Sequence, residues 1–116
     1  MVKVNYFVKD NKIEKVILKG HSNFDDYGKD IVCASISAIV ITTVNACLKM
    51  DKNSIKHSED EDVIITVLKH NEVIDTLINN MIDLLTELSK QYKNNIKIGG
   101  ESCVWINAIK YTIICA

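Results

Sequence analysis

Ile31-Val-Cys-Ala-Ser-Ile-Ser-Ala-Ile-Val-Ile-Thr-Thr-Val-Asn-Ala-Cys-Leu48 runs for 18 residues without a charge, and its reading decides the fold. Eighteen apolar positions lie at the edge of what a helix needs to cross a bilayer. Ser35, Ser37, Thr42, Thr43 and Asn45 interrupt the run, however. The chain around it also has the balance of a soluble globule, with 47% hydrophobic and 25% charged residues. The segment therefore reads as a core helix and not as a membrane span. Asp30 suits its N-cap, and Lys49, Asp51, Lys52 and Asn53 mark its end. Its apolar content is so continuous that two of its faces require cover.

On the N-terminal side of this helix lies Gly20-His-Ser-Asn-Phe-Asp-Asp-Tyr-Gly-Lys-Asp30, polar, without helical or strand period, and bounded by Gly20 and Gly28. It reads as a loop with hinge-capable ends. Before it, residues 13–19 form a β-prone run. Residues 2–8 alternate, with Val2, Val4, Tyr6 and Val8 on one face and Lys3, Asn5 and Phe7 on the other. The polar stretch 9–12 joins the two as a hairpin turn. On the C-terminal side, Ile55 and His57 alternate with polar neighbours. The acidic turn Glu59-Asp60-Glu61-Asp62 then leads into a stronger strand over 63–68.

Ile74, Leu77, Ile78, Met81, Leu84, Leu85, Leu88 and Tyr92 recur at three and four, which predicts a second, amphipathic helix. Asn94 and Asn95 stop it, and Ile96-Lys97-Ile98 begins a last strand before Gly99 and Gly100. The order β-β-α-β-β-α-β predicts a single α/β domain over 1–116, a two-layer sandwich with a mixed sheet and two main helices. Residues 101–116 are apolar but lack a clean period. They are compatible with an extra strand, a cover for a sheet edge or an oligomer contact.

Charge and cysteine content narrow the function classes. The net charge is −1, and all 14 basic residues are lysines, with no arginine to read guanine or clamp phosphate bidentately. Both facts point away from direct nucleic-acid or anionic-membrane binding. The absence of Pro beside abundant Lys, Asn and Ile suits a low-GC bacterium. Cys33, Cys47, Cys103 and Cys115 form no CxxC pair, and the opening Met-Val-Lys-Val-Asn-Tyr-Phe-Val does not resemble a secretory signal. Reduced thiols in the cytoplasm are expected, without a zinc site.

Two residues then stand out. Cys33 falls three residues after Asp30. If Asp30 caps the helix, the thiol occupies its first turn, where unpaired N–H groups and the helix dipole favour a thiolate. Ser37 follows one helical turn later on the same face and could donate to the sulfur or to an oxyanion, or simply let the helix pack closely. His21 lies at the junction of the second strand with the loop, rigid enough to aim an imidazole. A Cys–His pair is the minimum for thiol nucleophilic catalysis. By residue type alone, Cys33 is as readily a small core hydrophobe and His21 a solvated loop side chain.

Gly20-His21-Ser22 together with Gly28-Lys29-Asp30-Ile31-Val32-Cys33-Ala34-Ser35-Ile36-Ser37-Ala38 resembles the two signature motifs of the Prp ribosomal-processing cysteine proteases. The family pattern is a Gly-His pair, a short mobile loop, then Gly-x-Asp-Ile-Val-Cys-Ala with a Ser four residues after the Cys. Element order and length fit from residue 1 to about 98. The resemblance implies His21 as catalytic base, Cys33 as nucleophile and Asp30 and Ser37 as supporting polar groups. It implies that Gly20 and Gly28 bracket a substrate-admitting loop of Ser22, Asn23, Phe24, Asp25, Asp26 and Tyr27. It further implies a homodimer, without metal or cofactor, that removes the N-terminal extension of a large-subunit ribosomal protein by cutting after an aromatic residue. The stretch from Cys103 to Ala116 departs from the family's ending.

Rival readings use the same residues. A non-catalytic ribosome-assembly module could hold a peptide in the same cleft, and would leave Cys33 no faster than Cys47 toward an alkylating probe. A metal or redox site on Cys33 and His21 would carry bound metal. Asp25 and Asp26 could also hold a cation with His21, though adjacent loop carboxylates are more often solvated. His57 and His70 have no motif beside them and read as structural.

Overall fold

The structure is a computed structural model that describes the backbone of residues 1–20 and 27–102 and the side chains of 1–20 and 31–101. Seven elements follow one another: β1 (Val2–Lys9), β2 (Lys12–Lys19), α1 (Tyr27–Met50), β3 (Ile55–Glu59), β4 (Val63–Val67), α2 (Glu72–Gln91) and β5 (Ile96–Ser102). The expected order and the mixed sheet with two helices are both present. The strands lie in the order β3-β4-β2-β1-β5, antiparallel throughout except for the parallel pair of β1 with β5.

Local chemistry explains the elements. The β1–β2 hairpin turns on Asp10 and Asn11, whose φ angles of 52° and 62° are both left-handed. Two positive φ values are what a two-residue turn needs to match strand twist, and Asp and Asn tolerate them best after glycine. Val2, Val4, Val16, Leu18, Ile65 and Ile96 point from the sheet to the helices, each at most 2% exposed. Phe7, assigned by alternation to the polar face, is on that face yet only 9% exposed, outside the cluster under the helices.

α1 buries a single stripe, Val32, Ile36, Val40, Val44 and Cys47, at spacings of three and four. Ile31 and Ile41 remain more than half exposed, so cover on two faces is not what α1 receives. By length and composition Ile31–Met50 could cross a membrane. In the fold its apolar stripe joins the core shared with α2 and the sheet. α2 starts where the Asn71 side chain accepts from the Ile74 N–H at 3.0 Å, a regular N-cap. It buries Ile74, Ile78, Met81, Ile82 and Leu85, while Leu84, counted with the apolar face in the sequence, is 45% exposed.

β5 is longer than its opening residues suggested and continues through Gly99 and Gly100 to Ser102. A Cβ at Gly100 would meet the Tyr6 ring within 2.4 Å, so the glycine keeps room for an aromatic side chain leaning over from β1. Glycine here serves packing and does not end the strand.

Candidate active site

β2 delivers the chain to Gly20, where φ is 80° and a Cβ would stand 2.6 Å from the Met1 carbonyl oxygen. A side chain is excluded both by conformation and by space, so glycine sets the exit direction of the strand. His21 comes next in sequence. His21, Ser22, Asn23, Phe24, Asp25 and Asp26 lie outside the described residues, as do Cys103 and the rest of the C-terminal stretch. The expectations for the catalytic base, for most of the substrate loop and for the tail fall on those residues.

α1 begins at Tyr27, so Tyr27, Gly28 and Asp30 lie within its first turn and Cys33 is its seventh residue. Asp30 is thus not the N-cap, and Cys33 is not in the first turn. The physical reason is that Tyr-Gly-Lys-Asp looks like loop by composition but nothing in it forbids a helix. One interior glycine costs only about 1 kcal/mol relative to alanine, little against the packing of a long helix. The difference matters chemically. Unbonded helix N–H groups and the dipole's influence are strongest in the first turn, so a seventh-residue Cys33 draws less help from the helix start than expected.

What α1 does provide is a flank. Cys33, Ser37 and Ile41 succeed one another at intervals of four and so form one line along the helix, beside the buried stripe. Cys33 is half-buried, Ser37 exposed and Ile41 52% exposed. The Ser37–Ile41 end of this line borders a groove of about 310 Å³ whose floor is Leu18, Ile36, Val40 and Val63 and whose helix wall is Ser37 and Ile41. Glu59 and Asp60 of the β3–β4 turn form the opposite rim. Leu18 lies two residues before Gly20. The end of β2 and the Ser37–Ile41 part of the helix flank therefore meet at one apolar groove with an acidic lip, one helical turn from Cys33.

The second thiol is different. Cys47 is fully buried in the core stripe, and removal from water pushes its ionisation upward. A thiol so placed is inert, while Cys33 lies at the boundary with solvent. His57 Nε2 lies 3.3 Å from Glu59 Oε1 at the sheet edge. His70 bridges two layers: Nδ1 is 2.7 Å from Asp75 Oδ1 on α2 and Nε2 is 3.1 Å from Glu14 Oε1 on β2. Ile41 and Glu59–Asp60 were not singled out by sequence reasoning as parts of a site. Their signal was the four-residue step beyond Ser37 and a run of acids just ahead of an apolar strand.

A boundary thiol one helical turn from an apolar groove, on the helix that follows a strand leading into a histidine, is an arrangement suited to a thiol peptidase. A family model described as cysteine protease Prp matches residues 1–97. The ribosomal processing cysteine protease Prp of Staphylococcus aureus (strain Mu50 / ATCC 700699) is 29% identical over 103 residues, spanning 84% of this chain and 97% of that protein. The crystal structure of an essential ribosomal processing protease Prp from S. aureus in complex with a substrate peptide superposes with a TM-score of 0.79. It is 27% identical, over 86% of this chain and 99% of that one. The same S. aureus protease with a covalently linked product peptide gives 0.77 at 28% identity, with the same coverage. The chain belongs to the Prp family of cysteine proteases.

Proposed function

We propose that this chain removes the N-terminal extension of a large-subunit ribosomal protein during ribosome maturation, in the cytoplasm and as a homodimer, with Cys33 as nucleophile and His21 as base. The observation that carries the reading is the half-buried Cys33 one helical turn from Ser37, which with Ile41 walls an apolar groove of about 310 Å³. Relatives named ribosomal processing proteases, one of them holding a covalently linked product peptide, support it.

In this mechanism the Cys33 sulfur bonds to the scissile carbonyl carbon while its proton passes to His21. The imidazolium then gives that proton to the leaving amine as the C–N bond breaks, which leaves a thioester. A water attacks the thioester, His21 accepting its proton, and the Cys33 thiol is restored with release of the acid product. Charge on the carbonyl oxygen calls for a donor, and the exposed Ser37 hydroxyl, one turn from Cys33, is a better candidate than amides of the helix start. A bulky apolar side chain of the substrate enters the groove, and the loop from Ser22 to Tyr27, bracketed by Gly20 and Gly28, folds over the peptide.

The test is mass spectrometry of a ribosomal protein bearing its N-terminal extension. Incubation with wild type yields the shortened protein, and Cys33→Ala or His21→Ala leaves it intact, a loss of at least about a thousandfold in turnover if each acts in the chemical step. Retained cleavage by Cys33→Ala sinks the proposal.

A further inference from the structure

The overall charge of −1 conceals a strong segregation. Both helices pack on one face of the sheet, and register decides what the opposite face carries. Lys3 pairs with Lys19 on β2 and with Lys97 on β5, so three lysines stand in one row across three neighbouring strands. Strands are spaced about 4.8 Å apart. A second row runs Lys56–Thr66–Lys15 across β3, β4 and β2. Each of these lysines alternates with a residue buried under the helices, and all are exposed except Lys15, which is half-buried. Among the described residues, Glu101 is the only acid of the strands on this face.

Like charges directly opposite each other in a sheet are unfavourable, by up to about 1 kcal/mol per pair. The fold brings two such pairs into one row, with no carboxylate in that row among the described residues. Four acids gather instead by the groove: Glu59 and Asp60 form its rim, and Glu61 and Asp62 continue the same turn.

We infer that the exposed lysine row on the face opposite the helices is an RNA-binding surface, holding phosphates through Lys3, Lys19 and Lys97 while the helix side processes its peptide. The choice of RNA as occupant rests on the charge of this row and on the ribosomal reading above. Lysines present point charges without the arginine fork, so the contact is to backbone phosphate and carries no base specificity. Ile17 and Ile64, half-buried between the rows, give the surface an apolar centre. The acidic rim of the groove repels phosphate, which keeps RNA off the catalytic side and orients the enzyme on its target.

The probe is a fluorescein-labelled 20-nucleotide RNA hairpin, followed by anisotropy against the full chain between 50 and 200 mM KCl. Wild type binds with a log–log salt slope of about −2 to −3, as three neutralised phosphates require. Lys3→Gln with Lys97→Gln weakens binding at least about tenfold and lowers the slope by about two, in line with two lost phosphate contacts. Lys52→Gln with Lys90→Gln, away from this face, changes neither. Far-UV circular dichroism and cleavage of a short peptide stay at the wild-type level in both variants. The inference falls if wild type fails to bind, if binding ignores salt, if the Lys3/Lys97 variant binds as wild type does, or if phosphatidylglycerol vesicles are held and the hairpin is not. Peptide cleavage in the same preparations separates this result from failure of the protease reading, because peptide turnover does not require the lysine face.

Discussion

Single residues fix the geometry of the cleft more tightly than their types suggest. Gly20 tolerates neither a Cβ beside the Met1 carbonyl nor the loss of its left-handed backbone, and Gly100 keeps the space that Tyr6 fills. Their roles differ, which gives a test. Gly100→Ala forces the Tyr6 ring aside and should lower stability by about 1–3 kcal/mol, the range for overpacking, read as a shift in the urea midpoint. Tyr6→Ala/Gly100→Ala together should cost less than the sum of the two single changes, because the clash is gone. Additive losses would mean that the ring is not what the glycine serves. Cys33 and His21 stood out as candidates through the Gly-His and Asp-Ile-Val-Cys-Ala pattern, and His21 lies outside the described residues. Gly100 was not, because a close approach between strands leaves no trace in a one-dimensional period.

At the level of elements, all seven were readable in order, because alternation of two and recurrence at three and four are local properties of β1, β2 and α2. Two boundaries were not. α1 starts at Tyr27, where polar residues and a glycine imitate loop, and β5 runs on through Gly99 and Gly100. Strand order was equally hidden: nothing local says that β1 lies between β2 and β5. Sequence alone also could not separate Ile41, which escapes the core, from Val40, which does not, since both look apolar. That position offers a test of the flank as a substrate wall. Ile41→Trp projects bulk into the groove from a half-exposed site and should leave the fold intact. It should raise KM for a peptide bearing an aromatic residue by about tenfold, the loss of roughly 1.4 kcal/mol of binding, with kcat changed far less. An unchanged KM would remove the groove from substrate recognition.

For the molecule as a whole, Asp51 and Cys47 tie stability to pH from opposite sides. The Asp51 carboxylate is held below its ordinary value by the Asn53 backbone N–H at 2.9 Å and by Lys69 Nζ at 3.0 Å. A carboxyl lowered on folding stabilises above its unfolded value, and that contribution disappears as pH falls through the folded value. Cys47 behaves oppositely. Burial favours its neutral thiol, so its contribution is intact below the unfolded thiol value and is lost as pH rises through the folded one. Urea midpoints measured across pH should therefore decline on both sides of a plateau. Asp51→Asn should flatten the acid side and Cys47→Ala the alkaline side, each with little effect on the other. An alkaline slope that survives Cys47→Ala would show that another group sets that limit.

The parallel pairing of β1 with β5 has a consequence for how the chain is made. As the chain is synthesised, β1 finds one neighbour early, through the tight hairpin with β2, but its other edge waits until Ile96 and the residues after it have been made. Until then β1 is a bare edge with Val2 and Val4 beside it, open to pairing with another nascent copy. Closure of the sheet thus comes only once β5 is made, and a chain that stops near residue 95 would be expected to aggregate, although most of its core residues are already present.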